Sequence, residues 1–83
     1  MASKIQGALR ERFDKVKFNG DVKAIEITFK NTGNTWRIEY FLHWRGTRYG
    51  FSGNYYKAIH NENVKYFKSI ETLSKAIANG YIK

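Results

Sequence analysis

The sequence contains no cysteine and no proline. Without cysteine there is no disulfide framework, no thiolate zinc site and no cysteine nucleophile. No apolar run approaches the ~20 residues that a membrane-spanning helix needs. No signal peptide is evident, because Lys4, Arg10 and Arg12 interrupt the first apolar positions. With no repeat and no linker-like stretch, the 83 residues predict a single domain, 1–83, in the cytoplasm and without membrane contact.

Acidic residues are also few. The sequence has seven acidic residues and 15 lysines and arginines, which gives a net charge of +8 and a pI near 9.9. Net charge carries information about partners rather than about fold, and a pI this high is typical of nucleic-acid-binding domains. The plainer interpretation is that many small proteins are basic only for solubility. Charge alone therefore leaves both interpretations open.

Groups suited to catalysis are scarce. His43 and His60 are the only histidines, and neither stands in the order of a catalytic triad. They lack the HxxxH and HExxH spacings of metal sites. The carboxylates are scattered singly, and no glycine-rich loop leads from a strand into a helix. We predict a non-enzymatic protein without metal or cofactor, in which each histidine is a surface or packing residue.

Two amphipathic helices are predicted at the ends of the chain. In residues 3–16 the apolar side chains recur at three- and four-residue steps, and Ser3 begins the spacing of a capping box. In residues 69–79 the same period recurs, with Ser69 as N-cap and Gly80 at the C′ position.

The first helix carries basic flanks and is a second candidate binding surface. Lys4 and Lys15 lie along one edge of its apolar stripe, and Arg10 and Lys17 lie beyond the other. Arg12 falls close to the stripe itself and must extend to solvent or reach a partner. Helices with basic flanks are more commonly ordinary solvated helices.

Between the helices the apolar period changes to two, which predicts strands at 22–30, 36–45 and 48–52. Turns are predicted at residues 31–34 and at Gly46-Thr47.

Residues 53–68 are ambiguous. They form either an ordered loop or short strands at 55–59 and 64–67. The predicted fold is α+β, a two-layer sandwich of order α-β-β-β-(β)-α. Its antiparallel meander has three strands, or four if residues 53–68 join it, and the two helices cover one face of the sheet.

Strict alternation then divides the second strand between the two faces of the sheet. It turns one set toward the helices: Trp36, Ile38, Tyr40, Leu42 and Trp44. The opposite face receives cations and a ring, a combination suited to phosphates and to stacked bases. The predicted nucleic-acid-binding residues are Lys30, Arg37, Phe41, His43, Arg45 and Arg48.

Other interpretations of this face remain open. Arg37 and Glu39 can pair with Glu26 and Lys30 across the hairpin, which would make the face an ordinary solvated one. Residues 53–68 can also fold over the ring of the face. A nucleic acid is the leading partner, with DNA favoured over RNA. A protein-interaction module on an acidic protein surface is the alternative, and the chain is either a monomer or a homodimer that pairs through an edge strand.

The order of elements is similar in outline to double-stranded-RNA-binding domains, which carry lysines at the start of the last helix. Here that helix opens with Ser69-Ile70-Glu71-Thr72 instead. A three-stranded sheet followed by a helix, with arginine and tryptophan on the strands, also resembles plant-type and integrase-associated domains that place a sheet in the major groove. Neither resemblance includes a diagnostic motif, so it assigns no family.

Overall fold

A computed structural model describes residues 2–48 and 51–83, and it describes the side chains of residues 2–42 and 53–83. Its antiparallel sheet has the strand order β1-β2-β3-β4. The α-β-β-β-β-α order confirms the predicted α+β class, with a fourth strand. The elements are α1 (Ala2–Asp14), β1 (Val22–Thr28), β2 (Thr35–Arg48), β3 (Phe51–His60), β4 (Asn63–Phe67) and α2 (Ile70–Ala78).

The helices pack against each other and cover one face of the sheet. The register places Ile25, Ile38 and Ala58 side by side on that face, and Ile38 and Ala58 are 0% exposed. Leu73 of α2 packs into the same core. Trp36 is only 4% exposed, which confirms its predicted inward position.

The first predicted turn is confirmed. Phe29 donates its backbone N–H to the carbonyl of Asn34, and Gly33 donates to the carbonyl of Phe29. Gly33 has a φ of 73°, a left-handed conformation that costs glycine little because it has no Cβ.

The second predicted turn, at Gly46-Thr47, is wrong. Strand β2 continues through these residues to Arg48, and β3 begins at Phe51. The β2–β3 register shifts between Phe41 and Trp44 and again between Trp44 and Thr47. A glycine in a strand often marks such a bulge, and local composition does not distinguish a bulge from a turn.

Residues 53–68, which the sequence left open, form most of β3 and all of β4. Tyr55 and Tyr56 are adjacent in the chain and point to opposite faces of the sheet, yet they are only 1% and 9% exposed. Because β3 is buried on both faces at this point, it lacks the alternation that identifies a half-buried strand.

The two helix starts differ from each other. Ser69 caps α2 as predicted and forms a capping box with Thr72. Helix α1 begins at Ala2, so the predicted cap at Ser3 is wrong because Ser3 lies inside the helix. Past the other end of α2, Gly80 has a φ of 74°, as expected for a C′ glycine.

Arg12 reaches from α1 to the sheet edge, where its Nη2 donates a hydrogen bond to the backbone carbonyl of Glu26 in β1. This contact confirms the expectation that Arg12, which lies close to the apolar stripe, extends to solvent or reaches a partner. It also occupies a carbonyl on an edge strand, where unpaired backbone groups are available to other chains.

Replacement of Ser69 should destabilise the protein, because Ser69→Ala removes the hydroxyl that accepts from the Thr72 N–H. We expect the free energy of unfolding in urea to fall by ~0.5–2 kcal/mol. The matched control is Ser3→Ala, which removes no cap and should cause no loss. Equal losses in the two variants would contradict the assigned helix starts.

Replacement of Leu73 should create a cavity in the core, since Leu73 is 0% exposed. Leu73→Ala should lower the free energy of unfolding by ~2–5 kcal/mol, measured by chemical denaturation. Val64→Ala is the control, because Val64 is 40% exposed and should tolerate truncation far better. A small effect at Leu73 would show that the helix layer is packed differently.

Candidate nucleic-acid interface

The sheet face away from the helices, called here the open face, consists of cross-strand rows of side chains. Opposed residues in an antiparallel pair share a face, so the rows follow from the register. The described rows include Glu26, Arg37, Ile59 and Val64; Ala24, Glu39, Lys57 and Tyr66; and Val22, Phe41 and Tyr55.

Charges on the described part of the open face alternate in sign. Arg37 lies opposite Glu26, and Lys57 lies opposite Glu39. The Nε of Arg37 is 3.2 Å from Oε2 of Glu39. Opposite charges on neighbouring strand positions stabilise a sheet modestly. This part of the face therefore carries balanced charge, as in the solvated-face interpretation, although Arg37 pairs along its own strand with Glu39.

Aromatic rings occupy one corner of the open face. Phe41 and Tyr55 stack with ring centroids 4.8 Å apart and planes 9° apart, and the Tyr55 and Tyr66 centroids are 6.3 Å apart. Lys57 places its Nζ 5.9 Å from the centroid of Tyr66. Tyr55 is 1% exposed, so it packs against Phe41 and Tyr66 and offers almost no surface of its own. Phe41 and Tyr66 are half-buried. Residues 53–67 extend the sheet beside Phe41.

The structure brings two of the predicted site residues, Arg37 and Phe41, to the open face. Lys30 lies past the end of β1 and lines a cavity with Ile77 and Gly80 beside the end of α2, so it is not grouped with them. The remaining three lie on the β2 backbone, but their side chains are outside the described residues: His43, Arg45 and Arg48. The register shifts interrupt the period of two that assigned His43 and Arg45 to the face of Arg37. Arg48, expected at the start of a third strand, lies at the end of β2 instead.

Sequence reasoning missed three open-face residues, Tyr55, Lys57 and Tyr66, because strands at 55–59 and 64–67 were only one of two alternatives for the region 53–68. The available signal was the alternation of Tyr55, Lys57 and Ile59 with Tyr56, Ala58 and His60. That signal is weak, since neither set is clearly polar.

A second basic and aromatic group, also missed, lies on the helix side of the sheet. Lys23 is in phase with Ile25 and Ile27, and its Nζ donates a hydrogen bond to the carbonyl of Phe13 at 3.0 Å. The same Nζ lies 4.6 Å from the ring centroid of Phe18, which is 41% exposed. The sequence did carry a signal for this group, because Lys23 is a cation at a position of β1 that shares its face with the apolar Ile25 and Ile27.

Two tyrosines stack beside Lys23. The Tyr40 and Tyr56 ring centroids are 4.5 Å apart, and the Tyr40 hydroxyl accepts a hydrogen bond from Asn54 Nδ2 at 2.9 Å. Burial, with a smaller contribution from Tyr40, raises the pKa of Tyr56 to about 12, while the nearby charge of Arg10 acts in the opposite direction. The Tyr56 phenol therefore stays protonated at neutral pH and remains a hydrogen-bond donor.

The described part of the chain contains no cluster of three or more metal-binding side chains, and none of its helices has the length and apolarity to cross a membrane. His60 donates from Nδ1 to the carbonyl of Thr35, and its ring stacks on Trp36 at 5.3 Å. His60 is thus a packing residue, as predicted.

Comparison with protein families, with curated proteins and with solved structures finds no match to this chain. Its function must therefore be argued from its own surfaces.

Titration of the tyrosines should show a late contribution from Tyr56. Because the folded pKa of Tyr56 is about 12 and the unfolded value is 10.0, its contribution to stability is full below pH ~10 and is lost as the pH rises toward 12. Tyrosinate absorbance at 295 nm should therefore show a late phase whose amplitude Tyr56→Phe reduces by one phenol. The exposed Tyr81→Phe should leave that phase in place, and an unchanged late amplitude in Tyr56→Phe would contradict the assignment.

Proposed function

We propose that this protein is a non-enzymatic, cytoplasmic nucleic-acid-binding module that uses its open face, with DNA favoured over RNA. The observation that carries the proposal is the net charge of +8 on 83 residues. A charge of this size attracts polyanions and speeds association with them.

Ion pairing leaves most of this positive charge available. Within the described residues, three cations lie at ion-pair distance from a carboxylate: Lys15, Arg37 and Lys75. Two of these pairs, Lys15 with Glu11 and Lys75 with Glu71, lie on the exposed surfaces of the helices. The other cations add to the field that a phosphate backbone meets.

On the open face, the corner containing Phe41, Tyr66 and Lys57 supports the proposal best. Half-buried rings beside an ammonium group combine base stacking with phosphate attraction. In the chain, this corner adjoins the part of β2 that carries Arg45 and Arg48. We infer that a nucleic acid crosses the corner and continues toward those arginines, while the balanced charges around Arg37 and Glu39 contribute less.

Binding should depend steeply on salt. Labelled single-stranded DNA, duplex DNA and RNA are titrated by fluorescence anisotropy across a salt series. The log–log slope should be about −0.7 per neutralised phosphate for single strands and about −0.9 for duplex. Lys57→Gln should weaken binding and reduce the number of neutralised phosphates by about one.

The matched control is Lys75→Gln, which removes the same charge from α2, on the other side of the sheet. It should change affinity less than Lys57→Gln does. Glu39→Gln should strengthen binding, because it removes the carboxylate beside Arg37. Failure of every polynucleotide to bind at low salt would refute the proposal, and equal effects of the two lysine variants would refute the placement of the site.

The alternating charges of Glu26, Arg37, Glu39 and Lys57 favour a second candidate, a protein-interaction module. Such a pattern can be matched by complementary charges on a protein surface. The proposed partner is an acidic protein surface, and the rings at the corner would supply the buried contacts. Capture of partners on the immobilised protein distinguishes the two functions, since a protein partner survives nuclease treatment and a nucleic-acid bridge does not.

A further inference from the structure

A cavity of about 270 Å³ lies on the helix side of the sheet, between α1, the three strands β1 to β3 and the first residue of α2. Sites for drug-sized ligands typically measure ~300–1,000 Å³. This cavity is smaller, so it suits one small chemical group of a ligand, while the rest of the ligand stays outside the cavity. Its polar lining consists of Arg10, Asp14, Lys23, Tyr40 and Tyr56.

Four of the five polar side chains can donate hydrogen bonds into this space. Arg10 is exposed and lies at ion-pair distance from none of the described carboxylates. Lys23 uses one ammonium proton on the carbonyl of Phe13 and has two more. Tyr40 accepts from Asn54, which leaves its own hydroxyl proton available.

Tyr56 completes the set of donors. Its hydroxyl bonds to no other described residue, and it reaches water although the residue is 9% exposed. Its phenol is protonated at neutral pH, as any tyrosine is, and burial extends the protonated state to higher pH by raising the pKa. A protonated hydroxyl at the edge of a cavity, with no partner among the described residues, is a donor for a bound acceptor.

The charge of the lining selects the ligand. Arg10 and Lys23 are cationic, Asp14 is the one carboxylate that lines the cavity, and the balance is positive. A ligand that matches several converging donors must offer several acceptor oxygens and negative charge. Phosphate meets both requirements.

Phe18 adds a flat surface beside the cavity. Its ring is 41% exposed, lies 4.6 Å from Nζ of Lys23 and is 6.4 Å from the ring of Tyr40. Lys23 and Tyr40 both line the cavity, so a ring attached to a bound phosphate can stack on Phe18.

We propose that this cavity binds the phosphate of a nucleotide, with the attached base against Phe18. The proposal does not rest on the open-face function, because its residues lie on the other side of the sheet.

The test is a titration of the ¹⁵N-labelled protein with inorganic phosphate, with thymidine 5′-monophosphate and with thymidine, followed by amide shifts in NMR spectra. The two phosphates should shift residues around the cavity, and thymidine should not. Arg10→Gln should weaken nucleotide binding by about tenfold, the loss expected for a charge-assisted hydrogen bond. Asp14→Asn should strengthen it, because a repulsive carboxylate is removed.

The matched control is Lys15→Gln, which removes the same charge from α1 at a side chain paired with Glu11; it should change affinity by less than about twofold, as an exposed charge does. Phe18→Ala should weaken the nucleotide and leave inorganic phosphate unaffected. Absence of shifts at the cavity, or weaker binding in Asp14→Asn, would overturn the proposal.

Two further measurements identify the source of the phosphate and separate the two sites. An oligonucleotide with a 5′-phosphate that binds the cavity better than the same strand without it would identify a strand end, and equal binding of the two would identify a free nucleotide. Lys57→Gln should leave cavity shifts unchanged. If the cavity shifts vanish while salt-dependent binding at the open face persists, the cavity proposal alone fails.

Discussion

The architecture depends on β3 burying side chains on both faces at one point of the chain. Tyr55 faces away from the helices and stacks on Phe41, whereas Tyr56 faces the helices and stacks on Tyr40. The two ring pairs occupy adjacent positions of the β2–β3 pairing and lie on opposite faces of the sheet. A slip of one residue would exchange every side chain between the faces, so the paired rings strongly favour the observed register.

This arrangement also determines where charge can lie. Rings and aliphatic groups fill the centre of the helix side, and its cations lie at the margin. On the open face, Arg37 and Lys57 lie on the central strands beside the rings. Lys57 borders the rings on the open face, and Lys23 with Arg10 borders them on the helix side. The two candidate surfaces therefore have the same composition, rings with basic neighbours, because each adjoins one side of a single aromatic layer. They differ in that Glu26 and Glu39 balance the described cations of the open face.

The sequence predicts the elements whose burial is one-sided. The two helices, the β1–β2 hairpin and the inward position of Trp36 follow from apolar period and turn residues, because one face of each element meets water. Strand β3 could not be predicted with its full length, because burial on both faces removes the alternation of apolar and polar residues. Gly46 was predicted as a turn residue, because a glycine in a strand and a glycine in a turn look alike in the sequence. Lys23 was overlooked because its long side chain leaves the apolar phase of β1 to reach the carbonyl of Phe13. The balanced charge of the open face was one of two interpretations that the sequence allowed, because alternation shows which charged side chains share a face and not which of them pair.

The cations outside the core contribute little to folding. Exposed pairs such as Lys15 with Glu11 and Lys75 with Glu71 are typically worth ~0–1 kcal/mol, and a net charge of +8 repels itself. A folded chain that retains this excess is less stable than a neutral one of the same core. Solubility explains a modest charge of either sign, but the position of Lys23 within the apolar phase of β1, with its Nζ 4.6 Å from the ring centroid of Phe18, has a desolvation cost that solubility does not explain. The hydrogen bond from Lys23 to the carbonyl of Phe13, in the last turn of α1, offsets part of this cost.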